Sequence, residues 1–165
     1  MFLLGGCGSS PSSADALRAY LHGTEPIRLG VNRLLEDADP VLDAYRAHHL
    51  TGDQAAVAMG ALEQRFAQYT EQINALQPAD STLANLHRPY AHTYILEDSY
   101  LNALVVALPS GDFSTLPNTQ ADQRAAIIEW RIQVEILAHR DGVHLPGDLQ
   151  QAGRGEIAPS PAAGS

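Results

Sequence analysis

No lysine occurs in the 165 residues; all ten basic side chains are arginine, against 19 Asp and Glu, for a formal net charge of −9. No fold requires lysine to be missing. With Ala, Gly and Arg abundant, its absence points to codon bias in a GC-rich genome and carries nothing about function. The acidic balance says more. It leaves no basic stripe that could track phosphates, which argues against nucleic acid as a partner, and it disfavours docking on anionic lipid headgroups. Cysteine is nearly absent too. The single Cys7 excludes an internal disulfide and a zinc site built from cysteines. Long apolar runs are missing: the longest, residues 55–62 and 103–108, fall far short of the roughly 20 residues that span a bilayer. The chain has no Gly-rich phosphate loop, no Gly-x-Ser-x-Gly elbow and no His-Glu-x-x-His pair. It also lacks a haem-binding Cys-x-x-Cys-His and the Glu-x-x-His of di-iron bundles. The expectation is therefore a protein that is not an enzyme, with no catalytic residues, no cofactor and no metal.

What the chain does have is helical periodicity. Its length fits one domain with a core of its own. Ser13 reads as the cap of a first helix whose seam runs Leu17, Tyr20, Ile27, Val31, Leu34, Val41, Leu42 and Tyr45. Pro26 and Pro40 interrupt it without breaking the phase, which predicts one kinked element, with a separate short helix up to His22 as the variant. Thr51-Gly52-Asp53-Gln54 reads as a capping box. Behind it Ala55, Met59, Leu62, Phe66, Tyr69, Ile73 and Leu76 make a one-sided amphipathic helix. Pro78 ends that helix, and Asp80 or Ser81 caps a third. The third seam is Leu83, Leu86, Tyr90, Tyr94, Leu101, Leu104 and Leu108, with Pro89 bending it or delaying its start. Residues 109–118 read as a loop. Thr119 opens a fourth helix that runs to about Arg140 and stops at Gly142. No segment alternates like a strand. The fold class expected is all-α: an antiparallel four-helix bundle with a kinked first helix over residues 14–145, and a disordered Gly/Pro/Ala/Ser tail over 146–165.

Residues 1–13 carry the most specific motif. Leu4-Gly5-Gly6-Cys7 resembles the lipobox of bacterial lipoproteins, an aliphatic residue and two small residues before a cysteine. Gly8-Ser9-Ser10-Pro11-Ser12-Ser13 behind it has the composition of a flexible tether. The resemblance implies cleavage before Cys7, diacylglycerol and palmitate on that residue, and an address outside the cytoplasmic membrane. Only Phe2, Leu3 and Leu4 precede the glycines, so the charged and apolar parts of a signal peptide are expected upstream of Met1. Motif, tether and composition together resemble the small lipoproteins of high-GC bacteria.

Some polar residues sit where apolar ones belong. Glu97 lies on the third seam, eleven residues after Leu86 and seven before Leu104. A carboxylate there must be paired, hydrogen-bonded or protonated. On the fourth helix Ile127, Trp130, Val134 and Leu137 form one apolar face, and Ala125, Ile128, Ile132 and Ile136 another. Arg131, Glu135 and His139 run between the two, which predicts that this helix is the most buried of the four. One reading of the stripe is a salt-bridge network, Arg131 with Glu135 and across to Glu97. The other is a small-ligand or metal pocket of Glu97, Arg131, Glu135 and His139 beside Tyr90 or Tyr94. The remaining histidines, His48, His49, His87 and His92 among them, read as surface or capping groups. The function expected is a lipid-anchored envelope protein, held to the membrane through Cys7, whose bundle is a binding or interaction module of unassigned specificity, an envelope protein being one candidate partner.

Overall fold

The structure, a computed structural model, describes residues 12–150. The lipobox-like tetrad and residues 151–165 lie outside that range. Four long helices, α1 (Ser13–Arg46), α2 (Gly52–Ala75), α3 (Ser81–Ala107) and α4 (Gln120–Asp141), and one turn, α5 (Gly147–Gln150), make an all-α bundle.

The first three helices start where a side chain takes an orphan backbone N–H. Ser12 Oγ accepts from Asp15 N at 3.2 Å, one residue ahead of the expected cap. Thr51 and Gln54 form the reciprocal capping box. Asp80 accepts from Thr82 N and Leu83 N at 2.8 and 3.0 Å. Thr119 holds the N-cap position of α4 but makes no side-chain cap bond; its hydroxyl instead accepts from Gln123 Nε2 at 2.9 Å.

The first helix is continuous, so the variant with a separate short helix up to His22 is not what forms. Pro26, Pro40 and Pro89 all lie inside helices. Each is exposed, and so is the residue four positions earlier, His22, Glu36 and Asn85. Water can reach the backbone where the proline removes a donor. That is why the hydrophobic phase carries through.

Cross-helix pairs give the direction of each helix. Asp37 meets Arg65, and Gly30 meets Tyr69. Gly60 meets Val105, and Thr70 Oγ1 reaches the Tyr94 carbonyl. Tyr90 meets Trp130, while Tyr100 hydrogen-bonds Gln120. Ser13 and Asp141 close the ring between α1 and α4. In every pair one number rises as the other falls, so neighbours are antiparallel.

The third helix, packed on both α2 and α4, is the most buried of the four. It buries 11 of its 27 residues, whereas α4 buries 6 of 22. This corrects the expectation that α4 is the most buried. It packs on α3 and less on α1, so only the Ile127, Trp130, Val134, Leu137 face is covered. Ile128, Ile132 and Ile136 are 50%, 46% and 54% exposed.

At roughly 51 Å, α1 outreaches its neighbours by at least about 10 Å. The long α3–α4 connection covers the overhang: Phe113 meets Tyr45 edge-on at 6.2 Å. Residues 147–150, expected in the disordered tail, instead form α5. Gly142 (φ 63°) turns the chain back, and Leu145 and Leu149 rest against the core.

Candidate functional site

The six residues expected to form a site do not converge. Tyr90, Tyr94 and Glu97 are buried on α3, at 0%, 2% and 1% exposure. Arg131 is half-buried on α4, while Glu135 and His139 are exposed. The register set by Tyr90–Trp130 and Tyr100–Gln120 places Glu97 opposite residue 123. That is eight residues, about 12 Å along α4, from Arg131. Register keeps Glu97 from Arg131, and Glu135 and His139 face solvent because the Ile128, Ile132, Ile136 face beside them is uncovered. Glu97 instead adjoins Tyr100: burial first, then this carboxylate, pushes the phenol up to about 12. Asp98 is raised by burial, with Glu63 and Glu71 of α2 adding to it. Among the described residues no group of three His, Cys, Asp or Glu is placed to hold a metal ion.

The polar residues that do converge lie around Trp130. Its Nε1–H donates to the Tyr20 oxygen at 2.9 Å. Tyr20 meets His87 Nδ1 at 3.1 Å, and His87 Nε2 meets the Ile73 carbonyl at 2.9 Å. A carbonyl only accepts, so Nε2 carries the ring proton. Nδ1 is then an acceptor and the Tyr20 hydroxyl must donate to it. The chain Trp130, Tyr20, His87, Ile73 passes through α4, α1, α3 and α2 in turn. Every donor in it has an acceptor, which is what lets these polar groups lie in a core. His87 is thus not the surface or capping group expected; it is 6% exposed, and burial lowers its pKa.

Tyr90 stacks on Trp130 with centroids 4.0 Å apart and planes at 12°. Its hydroxyl meets that of Tyr94 at 2.9 Å, and Tyr94 stacks on Phe66 of α2. On the α1 side the Arg28 guanidinium carbon lies 5.7 Å from the Trp130 ring centroid, within cation–π range.

Arg28 is fully buried. Its Nε and Nη2 donate to the two oxygens of Asp148 at 2.7 and 3.2 Å, and Nη1 donates to Thr24 Oγ1. Thr24 in turn donates to the Leu21 carbonyl at 3.2 Å. Arg131 Nη2 donates to the main-chain carbonyl of Asp148 at 2.7 Å. Both arginines therefore hold one residue, 120 positions from Arg28 in sequence. The signal for Arg28 was present: Leu17, Leu21, Thr24, Arg28, Val31, Leu35, Ala38 and Leu42 step by four and three along one buried stripe. Nothing in the Gly/Pro-rich sequence around Asp148 marks it as the partner.

A shallow, largely apolar cleft of about 220 Å³ lies beside Tyr20, between Asp15, Gly23 and the α2–α3 turn at Leu76 and Pro78. Sites for drug-sized ligands begin at roughly 300 Å³. Comparison with protein families, with curated proteins and with solved structures gives no match for this chain.

Proposed function

We propose that the chain is a lipid-anchored protein of the bacterial cell envelope whose helical bundle binds another envelope protein. The observation that carries this reading is Leu4-Gly5-Gly6-Cys7 and its Ser-rich tether, leading straight into the capped start of α1. Among the described residues no helix is long and apolar enough to cross a membrane. In this reading attachment is by acyl chains on Cys7, where two chains hold stably and one does not. The ladder Ile128, Ile132, Ile136 supports a protein contact: apolar side chains four apart, open to solvent, are the surface on which another helix packs.

The protein expressed from its genomic locus should incorporate alkyne-palmitate and lose the label on Cys7→Ala. A wild-type protein that stays unlabelled in the membrane fraction sinks the anchor. Ile132→Arg should release a partner from the solubilised complex, with a stability change no larger than about 0.5 kcal/mol, as for an ordinary surface substitution. An unaltered complex sinks the contact.

A further inference from the structure

We propose that Arg28 and Arg131 form a binding site for an acidic–aliphatic peptide segment of a partner protein, and that residues 145–150 are its built-in occupant. This deepens the interaction reading and rests on it only in assigning the external segment to a partner protein; it does not depend on the lipid anchor.

Two arginines grip Asp148 in different ways. Arg28 takes the side-chain carboxylate through two donors, and Arg131 takes the main-chain carbonyl. A site that holds both the side chain and the backbone of one residue is built for a peptide, not for a free carboxylic acid. The following residue, Leu149, lies partly buried against the core, so the pattern read is an acid followed by an aliphatic side chain.

The two halves of the contact differ in how they are held. The receptor half is fixed by the bundle. Thr24 orients Arg28 from one turn away on α1, and Tyr20 and Tyr90 pin Trp130. None of those contacts involves α5. The occupant half has four helical residues, Gly147–Gln150, behind Pro146, closed locally by Leu149 N to the Pro146 carbonyl and Gln150 Nε2 to the Leu145 carbonyl. A single turn of helix does not stand by itself in water. Lifting it breaks the bonds of Arg28 and Arg131 to Asp148 and uncovers the core surface under Leu145 and Leu149, while Thr24 and Trp130 stay on Arg28. Because the occupant is tethered, its effective concentration is of order millimolar, and an external segment must compete with it.

The test uses the full chain with Asp148→Lys, whose ammonium repels Arg28 and leaves the site open. The probe is the end-blocked hexapeptide Leu-Pro-Gly-Asp-Leu-Gln, with its Asp replaced by Asn as control. Emission of Trp130, the single tryptophan, reads occupancy through Arg28, whose guanidinium carbon lies 5.7 Å from the ring centroid. D148K should bind the Asp peptide, with the Asn peptide at least about tenfold weaker and the wild-type chain also at least about tenfold weaker, as an intramolecular competitor requires. In the wild type the Leu149 amide should exchange at least about 100-fold faster than those of Leu101 and Leu104, since local openings cost less than global unfolding. No binding by folded D148K, or equal binding of both peptides, overturns the proposal. So does equal protection of Leu149 and the core, or failure of D148K to fold, because the segment would then be part of the bundle. A wild-type dimer that exchanges residues 145–150 between copies, without peptide binding, overturns the assignment to a partner. The titration needs neither Cys7 nor Ile132, so its failure is distinguishable from failure of the anchor or of the isoleucine contact.

Discussion

At the scale of residues, the His87 imidazole is locked in one tautomer by the Ile73 carbonyl on one side and the Tyr20 hydroxyl on the other. A second ring proton would face the Tyr20 hydrogen and break that bond. Desolvation lowers the pKa, and the bond to Ile73 offsets this only in part. The unfolded chain therefore binds a proton that the folded chain refuses. Stability from this group is complete above the ordinary value of 6.5 and is lost as pH falls below it. Thermal melts across pH 8 to 5 should show this decline, and His87→Gln should flatten that part of the curve. An identical slope in the variant would place the titration elsewhere. His87 was legible in the same way as Glu97, on the steps Leu83, His87, Tyr90, Tyr94, Glu97. Spacing shows that a polar residue is buried; it does not show what it meets. Arg28 repeats the lesson, since its carboxylate comes from the far end of the chain.

At the scale of elements, local signals were reliable because local chemistry sets them. Thr51 with Gln54, Asp80 and Gly142 all sit where capping requires. The end of α1 is different, and it holds unused stability. His49 N bonds the Ala44 carbonyl and His48 N the Tyr45 carbonyl, with His48 between them at φ 57°. That is the left-handed position of a Schellman turn, where glycine is the usual occupant. His48→Gly should raise stability by about 0.5–1 kcal/mol, the cost of holding a side-chain-bearing residue there, net of glycine's extra freedom when unfolded. A denaturant midpoint that does not rise would show that the exposed imidazole compensates. The fourth helix was misread for the opposite reason. Its two apolar faces are real in sequence, but whether a face is covered depends on how many neighbours the helix has, and α4 has α3 and part of α1.

At the scale of the molecule, short connections make α1, α2 and α3 antiparallel neighbours in turn, and a close backbone approach lies at the first of them. Gly52 opens α2 against the end of α3, where a Cβ would collide with the Leu108 carbonyl oxygen and lie 2.8 Å from Pro109 Cα. Backbone cannot swing aside as the Tyr69 ring beside Gly30 can. Gly52→Ala should therefore cost about 1–3 kcal/mol through overpacking. A thermal melt that matches wild type would mean that the connection shifts freely. The sequence pattern made the bundle and its connections readable. It left out α5, because a contact across 120 residues has no periodicity to announce it.

An even number of long antiparallel helices brings the chain in and out at one pole, where Ser13 meets Asp141. Tension between the two ends therefore does not load the α1–α4 interface along its length. It peels the two helices apart from that pole, contact by contact, until the opening reaches Tyr20 and Trp130. The hydrogen-bonded chain through all four helices begins there, so under load it acts as a mechanical stop between a frayed end and an intact core.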